Sequence, residues 1–417
     1  MNKKVILVGV SGSDKNFEYT MVELANLAEA NHYEIKDVVK QNIDRINKAT
    51  YVGKGKVEEL KQIGEMLQVD AFVVNDELTA SQIRNLEEEL EKEIIDRTAL
   101  ILAIFAERAK TREAKLQVEI ARLKYELPRL SNSDEVFDQQ SGKTGLANRG
   151  SGEKKIESDR RIIKNQIRHL TSELEEIVQE RETRRRKRKK NEIPVVSLVG
   201  YTNAGKSTTM NGLVNQFSKS AHKQVFEKDM LFATLETSVR EIILPDNKQF
   251  LLTDTVGFVS KLPTHLVKAF RSTLEEAKEA DLLLHVVDYS DENYKAMIET
   301  TEATLLAVGV KDIPVLYIYN KADQVSGAEY PVLQEEGLIY SAKDEASLAM
   351  LTEEITKKIF TGYKETSYLI PFDRGDIISH LNEHAHVLFQ DYTEEGTKLR
   401  VEVSPADYER FQSFQLK

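Results

Sequence analysis

Along residues 1–110, short apolar runs of strand length alternate with stretches of helical spacing. VILVGV (5–10), AFVVNDE (71–77) and EIIDR (93–97) read as strands. Asn16 to Ala30, Thr79 to Glu91 and TALILAIFAERAK (98–110) carry helical periodicity. This alternation predicts a small α/β domain with a largely parallel sheet.

From residue 111 the pattern changes. Leu116, Ile120, Leu123, Leu127 and Leu130 form a heptad seam, and Ile156, Ile163, Ile167, Leu170, Leu174 and Ile177 form a second. A Gly/Ser/Asn-rich stretch at 131–152 joins them, so residues 111–192 are expected to form an antiparallel helical hairpin. Two helices of roughly 20 residues would each reach about 30 Å. A connection this long is usually functional or disordered. RRRKRKK (184–190), just before Pro194, reads as a solvated linker or as part of a polyanion-facing surface.

A third strand-and-helix region, residues 193–361, starts at Val195 and runs to about Phe360. The tail, 362–417, reads as a small α/β appendage: Ile377 to Phe389 helical, KLRVEV (398–403) a strand, Ala406 to Phe414 helical. The predicted fold class is therefore α/β multidomain.

Composition sharpens this picture. At 417 residues the chain is too long for one core. Its 41% apolar and 30% charged residues suit a soluble protein, and the lack of cysteine excludes disulfides and thiolate metal sites. The apolar start breaks off at Ser11-Gly12-Ser13-Asp14-Lys15, so it reads as a strand rather than a signal peptide, and no run is long enough to span a membrane. The expected location is the cytoplasm, with peripheral membrane association as an alternative. Net charge is −11, which argues against nonspecific nucleic-acid binding by the whole surface, and no DNA partner is expected. Yet Ser141 to Lys190 holds 16 Lys/Arg against 8 Asp/Glu, a local +8 that leaves −19 for the remainder. Such segregation points to one polyanion-facing region.

The candidate chemistry begins in the third region. IPVVSLVGYTNAGKSTT places an apolar strand before, and a helix after, the phosphate-loop pattern Gly200-Tyr201-Thr202-Asn203-Ala204-Gly205-Lys206-Ser207. The glycines let backbone amides converge on phosphates, Lys206 reaches the β- and γ-phosphates, and Ser207 offers its hydroxyl to magnesium. QFLLTDTVGF (249–258) ends in Asp254-Thr255-Val256-Gly257, an aspartate for magnesium through water and a glycine amide for the γ-phosphate. Upstream, Phe232-Ala233-Thr234-Leu235-Glu236 is a switch block in which Thr234 completes the magnesium shell. Downstream, Asn320-Lys321-Ala322-Asp323 ends a strand. The Asp323 carboxylate can accept from the ring N–H and the exocyclic amine of guanine, a pair adenine lacks. Lys321 would pack its stem on the base. Ser341-Ala342-Lys343 follows, with a backbone N–H near Ala342 placed for the guanine carbonyl.

These motifs, in this order, predict a GTP/GDP site and a hydrolase. No side-chain base is identified, so Lys206 and the Gly257 backbone are the candidate catalytic support. Ras-like enzymes usually carry a water-orienting glutamine after this glycine; here it is Phe258. Slow intrinsic hydrolysis is expected, with the water placed by a switch group, a potassium ion or a partner. Asn203 is a candidate potassium ligand.

At this point the chain resembles the HflX family of GTPases over nearly all its length. The resemblance rests on GYTNAGKST, LFATLE, DTVGFVSKLPTHLVKAFRSTLEEAKEADLLLHVVD, YVGKGKVEEL (51–60) and IIDRTALILAIFAERAKTREAKLQVEIARLKYELPRL (94–130). It implies a monomer that binds the large ribosomal subunit near the peptidyl-transferase region and splits stalled or idle ribosomes with GTP. Some members act under heat stress or protect against antibiotics. It also implies that the hairpin and its tip enter ribosomal RNA, with Lys143, Arg149, Lys154, Lys155, Arg160 and Arg161 as candidate contacts. The sequence departs from the family at Ala147-Asn148 and Ser151 in the tip, at Glu236, and at Thr209-Met210-Asn211. None of these removes a nucleotide ligand.

Two questions stay open at this level. YVGKGKVEEL reads as a strand-to-helix turn, an RNA-backbone contact or a second, ATP-related nucleotide site. The main rival for the whole chain is a switch protein with a protein partner, its basic hairpin serving solubility or dimerisation. An RNA-remodelling ATPase conflicts with Asp323.

Overall fold

The structure, a computed structural model, describes residues 2–12, 16–131, 149–189, 193–217, 238–263 and 277–416. It is a multidomain α/β protein with eleven α-helices among the described residues.

In the N-terminal domain, β1 (Lys4–Val10), β2 (Glu34–Gln41), β3 (Ala71–Val74) and β4 (Glu93–Asp96) form a parallel sheet in the order β2-β1-β3-β4. Parallel strands need crossovers, and helices supply them on both faces. One face packs against α1 (Phe17–Ala30), α4 (Arg97–Arg108) and α5 (Arg112–Glu126) through Leu24, Leu27, Ile101, Ile104 and Val118. The other buries Leu60 of α2 (Lys54–Met66) and Leu86 of α3 (Ala80–Leu90). Thr79 and Gln82 make a reciprocal capping box that starts α3. The β2 strand is absent from the sequence reading because EIKDVVKQ lies at the sheet edge. Only Val39 of it is buried, so no apolar period marks it.

The expected hairpin forms, but unequally. Beside α5 runs α6 (Arg149–Lys189), 41 residues and about 60 Å long, with Arg112 Nε donating to Glu173 Oε1 at 2.7 Å. No glycine or proline occurs between Gly152 and Pro194, and the segment is rich in Lys, Arg, Glu and Gln. Good helix formers with no breaker carry the helix through the basic run. The expected linker at 184–190 is therefore corrected: residues 184–189 belong to α6. The first seam is buried at Leu116, Ile120 and Leu123, and Ile163, Ile167, Leu170 and Leu174 of the second are half-buried. Asp96 locks the hairpin to the sheet. It caps α4 at the Ala99 N–H (2.8 Å), accepts from the Tyr125 hydroxyl (2.8 Å), and lies 3.2 Å from an Arg129 nitrogen.

The third domain is a seven-stranded sheet in the order β10-β11-β9-β8-β5-β7-β6. Its strands are β5 (Val195–Gly200), β6 (Ser238–Ile243), β7 (Gln249–Asp254), β8 (Leu282–Asp288), β9 (Val315–Asn320), β10 (Val332–Gln334) and β11 (Gly337–Ile339). The β6–β7 and β10–β11 pairs are antiparallel, and the rest are parallel. Among the described residues the domain carries helices α7 (Lys206–Phe217), α8 (Tyr294–Val308) and α9 (Glu345–Ile359). Functional loops gather at the carboxyl ends of β5, β7, β8 and β9, where open parallel sheets bind ligands.

The C-terminal domain is an antiparallel sheet, β12 (Lys364–Ile370), β13 (His386–Thr393) and β14 (Gly396–Val403), in the order β12-β14-β13. One face is covered by α10 (Gly375–His384) and α11 (Pro405–Arg410). Here the expected helix 377–389 is corrected. It ends at His384, and His386-Val387-Leu388-Phe389 opens β13. β-branched and aromatic residues in short succession suit a strand better than another helical turn.

Candidate functional site

The phosphate loop leaves β5 at Gly200, whose φ is +145°. A Cβ there would lie 2.2 Å from the Val286 carbonyl oxygen, so glycine is required. At Gly205, with φ +97°, a Cβ would lie 2.0 Å from Asn320 Nδ2. The two glycines bring the loop against the ends of β8 and β9. Asn320 uses the space: its Nδ2 donates to the Ala204 carbonyl (2.9 Å), and its Oδ1 accepts from the Ala342 N–H (2.9 Å). One side chain thus ties the phosphate loop to the Ser341-Ala342-Lys343 loop. The Ala342 N–H expected to meet guanine donates to Asn320 here.

Lys206 opens α7 and is 6% exposed. Its ammonium donates to the carbonyls of Gly200 (3.0 Å) and Tyr201 (2.7 Å). Burial lowers its pKa to about 8, opposed by the charge of Asp254. Ser207 Oγ donates to Asp254 Oδ2 at 2.9 Å, and Asp254 is fully buried. A hydroxyl and a carboxylate side by side are hard oxygen donors of the type magnesium takes, so these two residues fit that ion. Asp323 is exposed and accepts from Ser341 Oγ at 2.8 Å. Lys321, with φ 65°, pairs with Asp288 at 2.6 Å. Asn203 is exposed with φ 62°.

The structure thus brings together residues 200–207, 254–257, 320–323 and 341–343. The switch block Phe232 to Glu236, with Thr234, lies outside the described residues, as do Lys143 and the side chains of Arg149, Lys154 and Lys155. Arg160 is half-buried and Arg161 exposed on α6.

The segment after Asp254 is held on two sides. Toward the phosphate loop, Thr202 N–H donates to the Phe258 carbonyl (2.8 Å) and Phe258 N–H to the Gly200 carbonyl (3.2 Å). Phe258 itself is 2% exposed, packed with Val199, Tyr201, Leu283 and Met297. A Cβ on Gly257 would meet Thr202 Cα at 2.8 Å, so this glycine sits directly on the phosphate loop. Toward the N-terminal domain, Val256 and Val259 join its core. Glu23 of α1, 4% exposed, pairs with buried Arg97 and accepts from the Tyr201 and Ser260 hydroxyls. Arg97 also donates to the Ser260 carbonyl (3.2 Å) and Asn75 Oδ1 (3.0 Å), and Lys261 pairs with Asp76 at 2.8 Å. Burial and the Glu23 charge push the Tyr201 phenol well above its ordinary pKa, so it stays a donor.

Sequence reasoning missed this cross-domain network. The available signals were Glu23 falling between the apolar Val22 and Leu24 of α1, and Arg97 at the head of a strongly apolar helix. It also missed His285, buried on β8. Desolvation, then the nearby Lys206 charge, lowers its pKa to about 4, so it is neutral at physiological pH.

Three family models match in tandem: a GTP-binding GTPase N-terminal region over residues 18–106, its middle region over 108–188, and a 50S ribosome-binding GTPase over 195–321. The chain is 42% identical over 412 residues to a protein named GTPase HflX from Caldanaerobacter subterraneus subsp. tengcongensis, covering 99% of this chain and 94% of that one. It is 43% identical over 392 residues to the GTPase HflX of Alkalihalophilus pseudofirmus (94% and 90% covered). Against the GTPase HflX of Escherichia coli it is 34% identical over 403 residues (95% and 92% covered).

Proposed function

Since the chain belongs to the HflX family and is a GTP hydrolase, we propose that its hydrolysis serves the large ribosomal subunit: it binds that subunit in the GTP state and separates stalled or idle ribosomes. The observation that carries this reading is α6. Its exposed face presents Arg161, Lys164 and Arg168 on a helix of 41 residues, within a protein of net charge −11. The sequence of the hairpin from Ser141 to Lys190 carries 16 Lys/Arg against 8 Asp/Glu, and such an excess fits contact with RNA phosphates in a narrow space. The matched model for residues 195–321 describes a 50S ribosome-binding GTPase, which supports the same partner.

In this reading Ser207 and Asp254 hold magnesium, Thr234 completing its shell, and the ion neutralises developing phosphate charge when bound. Lys206 leaves the loop carbonyls for the phosphates. Asp323 takes the guanine N–H pair. With Phe258 committed to the core, the chain supplies no water-orienting group after Gly257, so intrinsic hydrolysis is slow and the ribosome stimulates it; Asn203 offers a carboxamide for potassium. Sedimentation of intact ribosomes with the protein tests this. Subunits should separate with GTP and also with a non-hydrolysable analogue, because binding does the splitting and hydrolysis serves release. Ribosomes that stay intact under both conditions contradict it.

A further inference from the structure

The C-terminal sheet treats its two edges differently. Along β12 the chain end closes the edge: Gln415 bridges to Tyr368, Leu416 N–H donates to the Ser367 carbonyl (2.8 Å), and Gln415 Nε2 donates to Thr366 Oγ1 (2.8 Å). Along β13 no strand lies outside, among the described residues. Its N-terminal end is occupied by the β6–β7 turn. Asn247 Nδ2 donates to the Asn382 carbonyl (2.9 Å), and Lys248 pairs with Glu402, the residue opposite His386. A bulge between Val387 and Phe389 follows. Beyond it, Phe389 to Thr393 run in regular register against β14, leaving five residues of backbone edge, about 17 Å.

Natural edges are blunted by lysine, proline, bulges or cover. Here the bulge and the β6–β7 turn protect only the N-terminal end of β13, and the stretch from Phe389 to Thr393 has neither. HVLFQDYT carries no lysine, arginine or proline. Its exposed side chains are instead large and apolar: Leu388 at 44%, Phe389 at 53% and Tyr392 at 71%. Phe389, opposite Arg400, and Tyr392, opposite Thr397, fall on different faces, so a strand added here would gain apolar contact on both. The charges on the outermost strand and its turn are acidic, while the basic residues Lys398 and Arg400 lie one strand inward on β14, Arg400 paired with Glu365. Asp391, Glu394 and Glu395 on the strand and its turn, and Glu383 on α10, are all exposed. Residues 362–417 hold 6 Lys/Arg against 10 Asp/Glu, a net −4.

We propose that the outer edge of β13, residues 388–393, docks a basic, extended polypeptide segment of another protein as a fourth strand of the C-terminal sheet. Backbone pairing supplies affinity, Leu388, Phe389 and Tyr392 supply apolar contact, and the acidic rim selects the sign of the partner's charge. RNA is disfavoured by the same rim. The proposal does not depend on the ribosome reading, because its test contains no ribosome.

The test uses the full chain and a labelled ten-residue peptide of alternating lysine and valine. Two controls accompany it: the same peptide N-methylated at alternate backbone positions, and a glutamate–valine peptide. The lysine peptide should bind and should slow amide exchange within 388–393. The N-methylated peptide, equal in charge, and the glutamate peptide should bind at least tenfold more weakly. F389K/Y392K, or L388K alone, should cut binding at least tenfold with thermal unfolding and GTP hydrolysis unchanged. The proposal is overturned if the N-methylated peptide binds equally, if protection lies elsewhere, or if the variants bind like the parent. It is equally overturned if a single-stranded oligonucleotide protects the same amides, or if the parent forms a dimer that F389K/Y392K dissolves.

Discussion

At the scale of single residues, Lys206 and Asp323 carry the most specific consequences. Lys206 is buried, and its pKa is about 8 against an ordinary 10.5. Its folded form therefore resists protonation between those values, whereas phosphate binding requires the charged form. GDP affinity should fall as pH rises, by about tenfold between pH 7 and pH 9, with proton uptake visible by calorimetry in buffers of different ionisation enthalpy. Affinity that is flat across that interval contradicts the placement of Lys206. Asp323 is held only by the Ser341 hydroxyl and is otherwise exposed. Asp323→Asn exchanges an acceptor pair for one acceptor and one donor, which matches xanthine. Hydrolysis should shift from GTP toward XTP by an order of magnitude or more, measured as the ratio of kcat/KM values. Unchanged use of GTP would place the base elsewhere. These candidate ligands were legible in the sequence because each sits where a motif meets a strand end. The Glu23–Arg97–Tyr201–Ser260 cluster was not, since its members come from segments far apart in the chain and meet only after the domains pack.

At the scale of elements, period and breakers determined what could be read. The largely buried β1, β3, β5 and β8 are mostly apolar runs, so they stand out. The edge strand β2 buries one residue and carries no pattern. The basic run at 184–190 reads as a boundary in the sequence, but charge alone does not end a helix, and the structure carries α6 through it to Lys189. The exposed Arg161, Lys164 and Arg168 thus lie on one continuous helix. Replacing exposed Arg161, Lys164 and Arg168 by alanine should weaken large-subunit association and flatten its salt dependence. Removing three phosphate contacts lowers the log–log slope by about two. A filter-binding series from low to moderate salt measures it, and an unaltered slope would remove this face from the RNA contact.

At the scale of the whole molecule, the segment after Asp254 is shared between two domains. Its backbone pairs with the phosphate loop through Phe258, while Val256 and Val259 lie in the core under the N-terminal sheet and Ser260 joins Glu23 and Arg97. If Gly257 senses the γ-phosphate as proposed, that segment is joined to the domain that carries the hairpin. The proposed RNA contact would then be coupled to nucleotide state through packed side chains. The buried Phe258 fits the same proposal, since it leaves the residue after Gly257 unable to orient the attacking water. The measurement that tests this most directly is the steady-state rate of GTP hydrolysis with and without purified large ribosomal subunits. The rate should be slow alone and rise at least tenfold with subunits, and the rise should disappear when Arg161, Lys164 and Arg168 are replaced. An equal rate with and without subunits would contradict the account.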